Sequence, residues 1–298
     1  MAPSSNKRKR PSEAMADETP LPDKHHLFTQ WSQDRGVEIR GVAPAQLANR
    51  GVGLIATKQL PKDHRILFIP EKAMFKPNTT LLKKASLHTA SPQAQLAFSA
   101  MIAYAPADSQ LKVWRETWPT LDDFKQSLPM CWPEAERGDL PPSMQQPLER
   151  QLADYQRDWT AVRETCVQRG SGEEEFRYYW MIVNSRSFHW KAAGRATVGS
   201  MVMCPFVDYL NHAPAGSACR VTMTAKGYEV TADREYGEWC FSYPIASTLH
   251  SYTPLSHSQT SSLLSSPQRR NPHNLRLPPK RQTTNPLRLH PPRPKQFR

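Results

Sequence analysis

The chain has 298 residues, 38% of them hydrophobic, and its 39 Lys and Arg against 27 Asp and Glu give a formal net charge of +12. That apolar share can bury a core in one large domain or two small ones. No stretch approaches the roughly 18 uninterrupted apolar residues of a membrane span, and the polar, basic N-terminus lacks the apolar region of a secretory signal. The basicity is uneven: residues 244–298 hold nine Lys or Arg and no acid, whereas residues 27–243 carry a net of only +2. A nucleic-acid-binding core is therefore not implied, and contact with a polyanion is expected only through the tail. The five cysteines (Cys131, Cys166, Cys204, Cys219, Cys240) are odd in number and never spaced as CxxC, which argues for a reducing compartment and against a disulfide frame or structural zinc.

Residues 1–26 are polar and Pro-containing without a periodic apolar face, so they are expected to be a disordered basic arm. Within them Lys7 to Arg10, followed by Pro11, reads either as a nuclear import signal or as a solvated charge run. From His26 the pattern changes. Leu27, Phe28 and Trp31 predict a short amphipathic helix, and Val37, Ile39 and Val42 alternate as a half-buried strand does. Leu54 to Ala56 and Ile66 to Ile69 read as two strands of a hairpin joined by a Pro-Lys-Asp turn. Gly51 and Gly53 would let the backbone approach a ligand, although a lone GxG also serves as a simple turn. It is no dinucleotide fingerprint, because a strand follows and the third glycine is absent.

Residues 78 to about 182 read as mostly helical: an apolar stripe over Gln93 to Tyr104, a short helix from Lys112 stopped by Pro119, and an irregular passage at Trp132-Pro133. Leu148, Leu152, Tyr155, Trp159, Val162 and Cys166 step by four and three, placing them on one helical face suited to core packing. Phe176 to Val183 is a dense apolar segment leading into Ser-Arg-Ser-Phe at 185–188.

Met201 to Phe206 is an apolar run that ends abruptly in Asp-Tyr-Leu-Asn-His. That pattern fits a buried strand whose end delivers the Asn211 amide and His212 imidazole to a site, or a strand end followed by a turn. Cys219 to Thr224 and Tyr228 to Ala232 form a hairpin signal around Lys226-Gly227, and Trp239 to Tyr243 is a plausible last strand.

The segments RGVGLIATKQLPKDHRILFIPE, the Trp114, Pro119, Leu128-Pro129 and Trp132 pattern, SRSF, PFVDYLNH and TADREYGEWCFSY occur in this order over about residues 28–243. In this the chain resembles the SET-domain protein methyltransferases of the Rubisco large-subunit methyltransferase-like group. The resemblance implies an α+β, β-rich SET fold over residues 27–243, interrupted by a helical insert at about 78–182, between disordered N- and C-terminal tails. It further implies S-adenosyl-L-methionine as cofactor, no metal, and N-methylation of a lysine side chain in a protein substrate, with histidine methylation a variant within the class. By similarity, the backbone around Gly51, Gly53 and Leu54 lies along the cofactor with Arg186, Asn211 and His212. Phe188 borders the substrate channel, and Tyr243 is the catalytic tyrosine orienting the amine. Asp208 is expected to be a structural hydrogen-bonding residue rather than a base.

The chain departs from that pattern at its last strand. Gly237 to Pro244 reads GEWCFSYP, one residue shorter than the group's GEEVFISYG and with proline in place of the final glycine. A one-residue change reverses which strand face later side chains occupy, which affects Tyr243. Residues 244–298 contain ten prolines, no glycine and no acid, a composition expected to be disordered. This tail reads either as the product of a shifted frame or unspliced intron, or as a genuine basic tail. The alternative to an active enzyme is a catalytically inactive SET-like binding module or truncated product. Nucleus and cytoplasm are both compatible compartments, and oligomeric state is open.

Overall fold

The computed structural model describes residues 21–47, 51–106, 109–190, 201–210 and 219–238. Residues 1–20, Asn211, His212, Tyr243, the expected strand over Trp239 to Tyr243 and the tail from 244 lie outside the described residues. The arm expected to reach residue 26 stops earlier, because Asp23 to His26 already form the first turn of a helix that buries His25.

Helix α1 (Asp23–Asp34) buries His25, Phe28, Trp31 and Ser32, the three- and four-residue spacing of one helical face. Two strands follow where the alternation predicts one: β1 (Glu38–Ile39) and β2 (Val42–Leu47). Gly41 separates them with φ +70, and a Cβ there would sit 2.7 Å from Leu60 Cδ2. Only glycine combines that backbone with that approach, so the chain turns between Ile39 and Val42 and the strands join different sheets.

Strand β2 pairs antiparallel with β3 (Gly51–Ala56), from Val42 opposite Ala56 to Leu47 opposite Gly51. Strand β4 (Arg65–Pro70) instead joins a sheet whose order is β1, β4, β8 (Gly227–Thr231), β7 (Arg220–Thr224). The expected β3–β4 hairpin therefore does not form. The Pro61 turn is present, with the His64 N–H donating to the Pro61 carbonyl at 3.2 Å. The linker, however, is held elsewhere: Leu60 is fully buried and exchanges two backbone hydrogen bonds with Tyr236, each 2.9 Å. A linker pinned along its length cannot close a tight hairpin. The β7–β8 hairpin forms as expected, and Gly227 lets it approach β4, since a Cβ there would meet the Ile69 carbonyl oxygen at 2.3 Å.

The helical insert runs through α2 (Thr79–Lys84), α3 (Pro92–Tyr104), α4 (Lys112–Arg115), α5 (Leu121–Ser127), α6 (Glu134–Gly138), α7 (Pro142–Gln168) and α8 (Glu173–Arg186). Local chemistry sets several starts. Asn78 and Ser91 accept from the N–H groups of Leu81 and Ala94 at 3.0 Å each, and Thr120 with Asp123 forms a reciprocal capping box, satisfying donors that have no partner inside a helix. Helix α3 packs against α7 and α8. The α7 stripe is core as expected, with Leu152 only half-buried; the helix begins six residues before Leu148. Trp180 Nε1 donates to the buried Asp158 Oδ2 at 2.9 Å and ties α8 to α7. Among the described residues no helix is long and apolar enough to cross a membrane.

Candidate active site

Helix α8 ends at Arg186, and the next residue starts strand β5 (Ser187–His189), paired antiparallel with β6 (Met201–Met203). On its other side Met203 exchanges backbone hydrogen bonds with Phe75 at 2.9 and 3.0 Å, so β6 is held from both sides. The expected strand over Met201 to Phe206 thus stops at Met203. Phe206 ends the run at φ +72 while fully buried. A left-handed backbone at a bulky aromatic residue is strained, and such strain concentrates at functional sites. It turns the chain into a 3₁₀ turn over Val207–Tyr209, beside which β3 packs. The strand carrying Gly51, Gly53 and Leu54 and the helix end carrying Arg186 therefore meet at this turn.

Asp208 lies at its centre. Its side chain is wholly buried and accepts from Arg186 Nη1 at 2.9 Å and from Trp114 Nε1 at 3.1 Å. Arg186 also reaches the Asp208 carbonyl at 3.4 Å. This is a buried, hydrogen-bonded ion pair and not a surface one, and it fixes α4, the end of α8 and the turn relative to one another. The Tyr209 hydroxyl shares a 2.7 Å hydrogen bond with His25 Nδ1, fastening α1 to the same turn. Burial, reinforced by the positive charges of Lys24, Arg186 and His26, lowers the His25 pKa to about 4, so the imidazole is neutral at pH 7. Burial also pushes the Tyr209 hydroxyl and the Cys204 thiol up, with the Asp208 charge adding to both. A thiol so placed is inert as a nucleophile.

Gly51 is exposed at the start of β3 with φ +69, and none of the described residues lies within 4 Å of where a Cβ would be. Its backbone needs glycine, and the described residues leave space beside it. Gly53 and Leu54 are buried, opposite Ala45 and Pro44. Phe188 is half-buried, its ring 5.4 Å from that of Tyr228 on β8. Three buried polar atoms at the junction have no hydrogen-bond partner among the described residues: Arg186 Nε, Ser187 Oγ and Asp208 Oδ1. The part of this arrangement absent from the sequence reading is its bracing. Trp114 figured there as a landmark of the insert and His25 not at all, and their partners lie 94 and 184 residues away. A separate cavity of about 320 Å³ opens between α1 and the Glu71–Ala73 turn, lined by Trp31, Arg35, Lys72 and Trp114 among others.

These elements, split by the helical insert, make up a SET fold. Solved structures of the SET domain of LSMT bound to lysine and AdoHcy, and of Rubisco LSMT bound to AdoMet, each align with a TM-score of 0.60 at 17% identity, over 77% of this chain and 54% of theirs. The chain is 22% identical over 217 residues to [fructose-bisphosphate aldolase]-lysine N-methyltransferase, chloroplastic, of Arabidopsis thaliana, covering 69% of this chain and 43% of that protein. No family model matches. The chain spans about half the length of the relatives it matches.

Proposed function

We propose that this chain is the SET-domain part of an S-adenosyl-L-methionine-dependent protein-lysine N-methyltransferase. The observation that carries the reading is the junction of α8, β5 and the Val207–Tyr209 turn, set in a SET fold and braced by the Arg186–Asp208 pair. The solved relatives are described as bound to AdoMet, AdoHcy, lysine or methyllysine, and the curated relative is named for lysine N-methylation.

The residues present fit the cofactor. It bears a carboxylate and an ammonium group, and the junction offers buried donors at Arg186 Nε and Ser187 Oγ and a buried acceptor at Asp208 Oδ1 that lack partners among the described residues. The space that the described residues leave at Gly51 makes β3 approachable along its backbone. When bound, the cofactor supplies a sulfonium-activated methyl group. The chain's own task is to position a neutral amine in line and exclude water. Phe188 against Tyr228 supplies an apolar wall for that purpose, and Asp208, engaged by Arg186 and Trp114, holds the scaffold. Asn211, His212 and Tyr243 keep the cofactor and amine-orienting roles that the resemblance implies.

A second reading, an inactive SET-like binding module, is favoured by one feature: the shortened, proline-ended segment from Gly237 to Pro244. Cofactor binding separates the two. The active reading predicts a thermal upshift that grows with S-adenosyl-L-methionine concentration, worth about 2.7 kcal/mol at a hundredfold excess over Kd. No shift at millimolar cofactor contradicts it. Lysine and histidine acceptors are then distinguished by the position of the added methyl group. For the compartment, the curated relative is chloroplastic by name, whereas Lys7 to Arg10 supports nuclear import of this chain.

A further inference from the structure

Helix α8 presents a second feature upstream of Arg186. Between its N-terminal half and the segment entering α5 lies a groove of about 560 Å³, lined among others by Trp118, Tyr178 and Tyr179 and by Glu116, Glu174 and Glu175. The aromatic floor is built of contacting rings. The Tyr178 and Tyr179 rings stand edge-on 5.3 Å apart, Trp118 is edge-on to Tyr179 at 6.4 Å, and the Tyr178 hydroxyl donates to the Pro119 carbonyl at 3.1 Å. The carboxylates are differently engaged. Glu116 faces Lys112 Nζ at 3.7 Å, whereas Glu174 and Glu175 have no ion pair or hydrogen bond among the described residues. Arg115 also lines the groove; its guanidinium donates to the backbone carbonyls of Tyr104 and Ala105 and lies against the Tyr179 hydroxyl, so the groove carries one cation against three carboxylates. Trp118 is almost wholly buried, and its indole Nε1 lacks an acceptor among the described residues.

The carboxylates of exposed Glu174 and half-buried Glu175, beside the half-buried Tyr178 ring, suit a cationic side chain on an extended peptide: the carboxylates neutralise it, the ring packs against it, and an acidic partner is disfavoured. From Glu175 to Arg186 the helix advances about 16 Å at 1.5 Å per residue, a distance that an extended peptide covers in about five residues.

We propose that this groove is a substrate-selecting exosite that takes a lysine- or arginine-bearing segment of the protein substrate, at least about five residues from the lysine to be methylated. The inference deepens the methyltransferase reading and rests on it for the ligand's identity as substrate. The groove selects basic sequence context, and the junction at Arg186 and Phe188 performs the chemistry.

The test uses the full chain and fluorescein-labelled synthetic peptides of about twelve residues, long enough to span both places. Each has one lysine near its start and, some six residues on, an Arg-Lys, Ala-Ala or Glu-Glu pair. Binding is read by fluorescence anisotropy at low and at physiological salt. The expected result is an order of affinity Arg-Lys over Ala-Ala over Glu-Glu, with the Arg-Lys peptide about three- to tenfold tighter than Ala-Ala at low salt. The doubly substituted Glu174→Gln, Glu175→Gln chain loses that preference. Glu174 is exposed and Glu175 half-buried, both in the first turn of α8, so the variant should stay folded with a thermal midpoint only a few degrees lower, from the loss of two carboxylates at the helix N-terminus. A control with Glu134→Gln and Glu136→Gln on α6, outside the groove, keeps the preference. Equal affinities in the parent, an unchanged preference in the groove variant, or an equal loss in the α6 control overturns the proposal. So does a dimer of the full chain that the groove variant dissolves and the Arg-Lys peptide fails to displace, since the occupant is then a second copy. The two readings fail separately. A cofactor upshift without peptide preference removes the exosite alone, and a groove-dependent preference without any upshift removes the enzyme while the basic-peptide site stands.

Discussion

Arg186, the last residue of α8, donates from Nη1 to Asp208 Oδ2 at 2.9 Å, and the carboxylate it meets is wholly buried. Breaking such a pair from one side leaves the other charge desolvated and alone, at a cost of about 3–5 kcal/mol. Asp208→Asn keeps an acceptor for Trp114 Nε1 but strands the guanidinium. It is expected to lower unfolding free energy by that amount in a urea titration, and Arg186→Leu by a similar amount. The two combined should cost clearly less than their sum, because they share one interaction. A loss under 1 kcal/mol for either single variant would show that the pair does not brace the turn.

Phe206 offers a test of backbone strain. Its ring is fully buried and its φ is +72. Truncation to alanine should cost about 3–5 kcal/mol from lost burial and the cavity left behind. In an ordinary extended position glycine would be worse than alanine. Here Phe206→Gly should be the more stable of the two by about 1 kcal/mol, since the left-handed region penalises any Cβ. The reverse order in denaturation experiments would mean the turn after β6 relaxes out of that conformation.

His25 sets a pH dependence. Its pKa falls from 6.5 unfolded to about 4 folded, so between those values the unfolded state binds more protons and stability rises with pH. The neutral imidazole's contribution is fully present above about pH 6.5 and is lost as pH falls towards and through 4. His25→Gln should flatten the slope of thermal midpoint against pH between 4 and 6.5 relative to the parent. An unchanged slope would assign the acid sensitivity to other groups.

How much of this was legible in the sequence depends on how local the determining contact is. The α7 stripe is written in a three-and-four spacing that no other element can satisfy, and the β7–β8 hairpin in a Lys226-Gly227 turn between alternating residues. The partner of β3 was not legible. A strand's alternation states which faces are apolar but not which neighbour it joins, and the pairing turned on Gly41 and on Leu60 bonding to Tyr236. At the candidate site, Arg186 and Phe188 were singled out through the short SRSF run. The bracing by Trp114 and His25 was not, because each supplies one side of a hydrogen bond whose other side is distant in sequence.

The most direct test of the central claim is calorimetric titration of the full chain with S-adenosyl-L-methionine, beside a Ser187→Ala variant. Ser187 Oγ is buried without a partner among the described residues, so its removal should not lower the stability of the free protein. The account predicts saturable one-site binding to the parent and affinity about fivefold weaker in Ser187→Ala, the value of one neutral hydrogen bond of about 1 kcal/mol. No saturable heat at millimolar cofactor, or equal affinity in the two proteins, would contradict a cofactor site at the junction of α8 and β5.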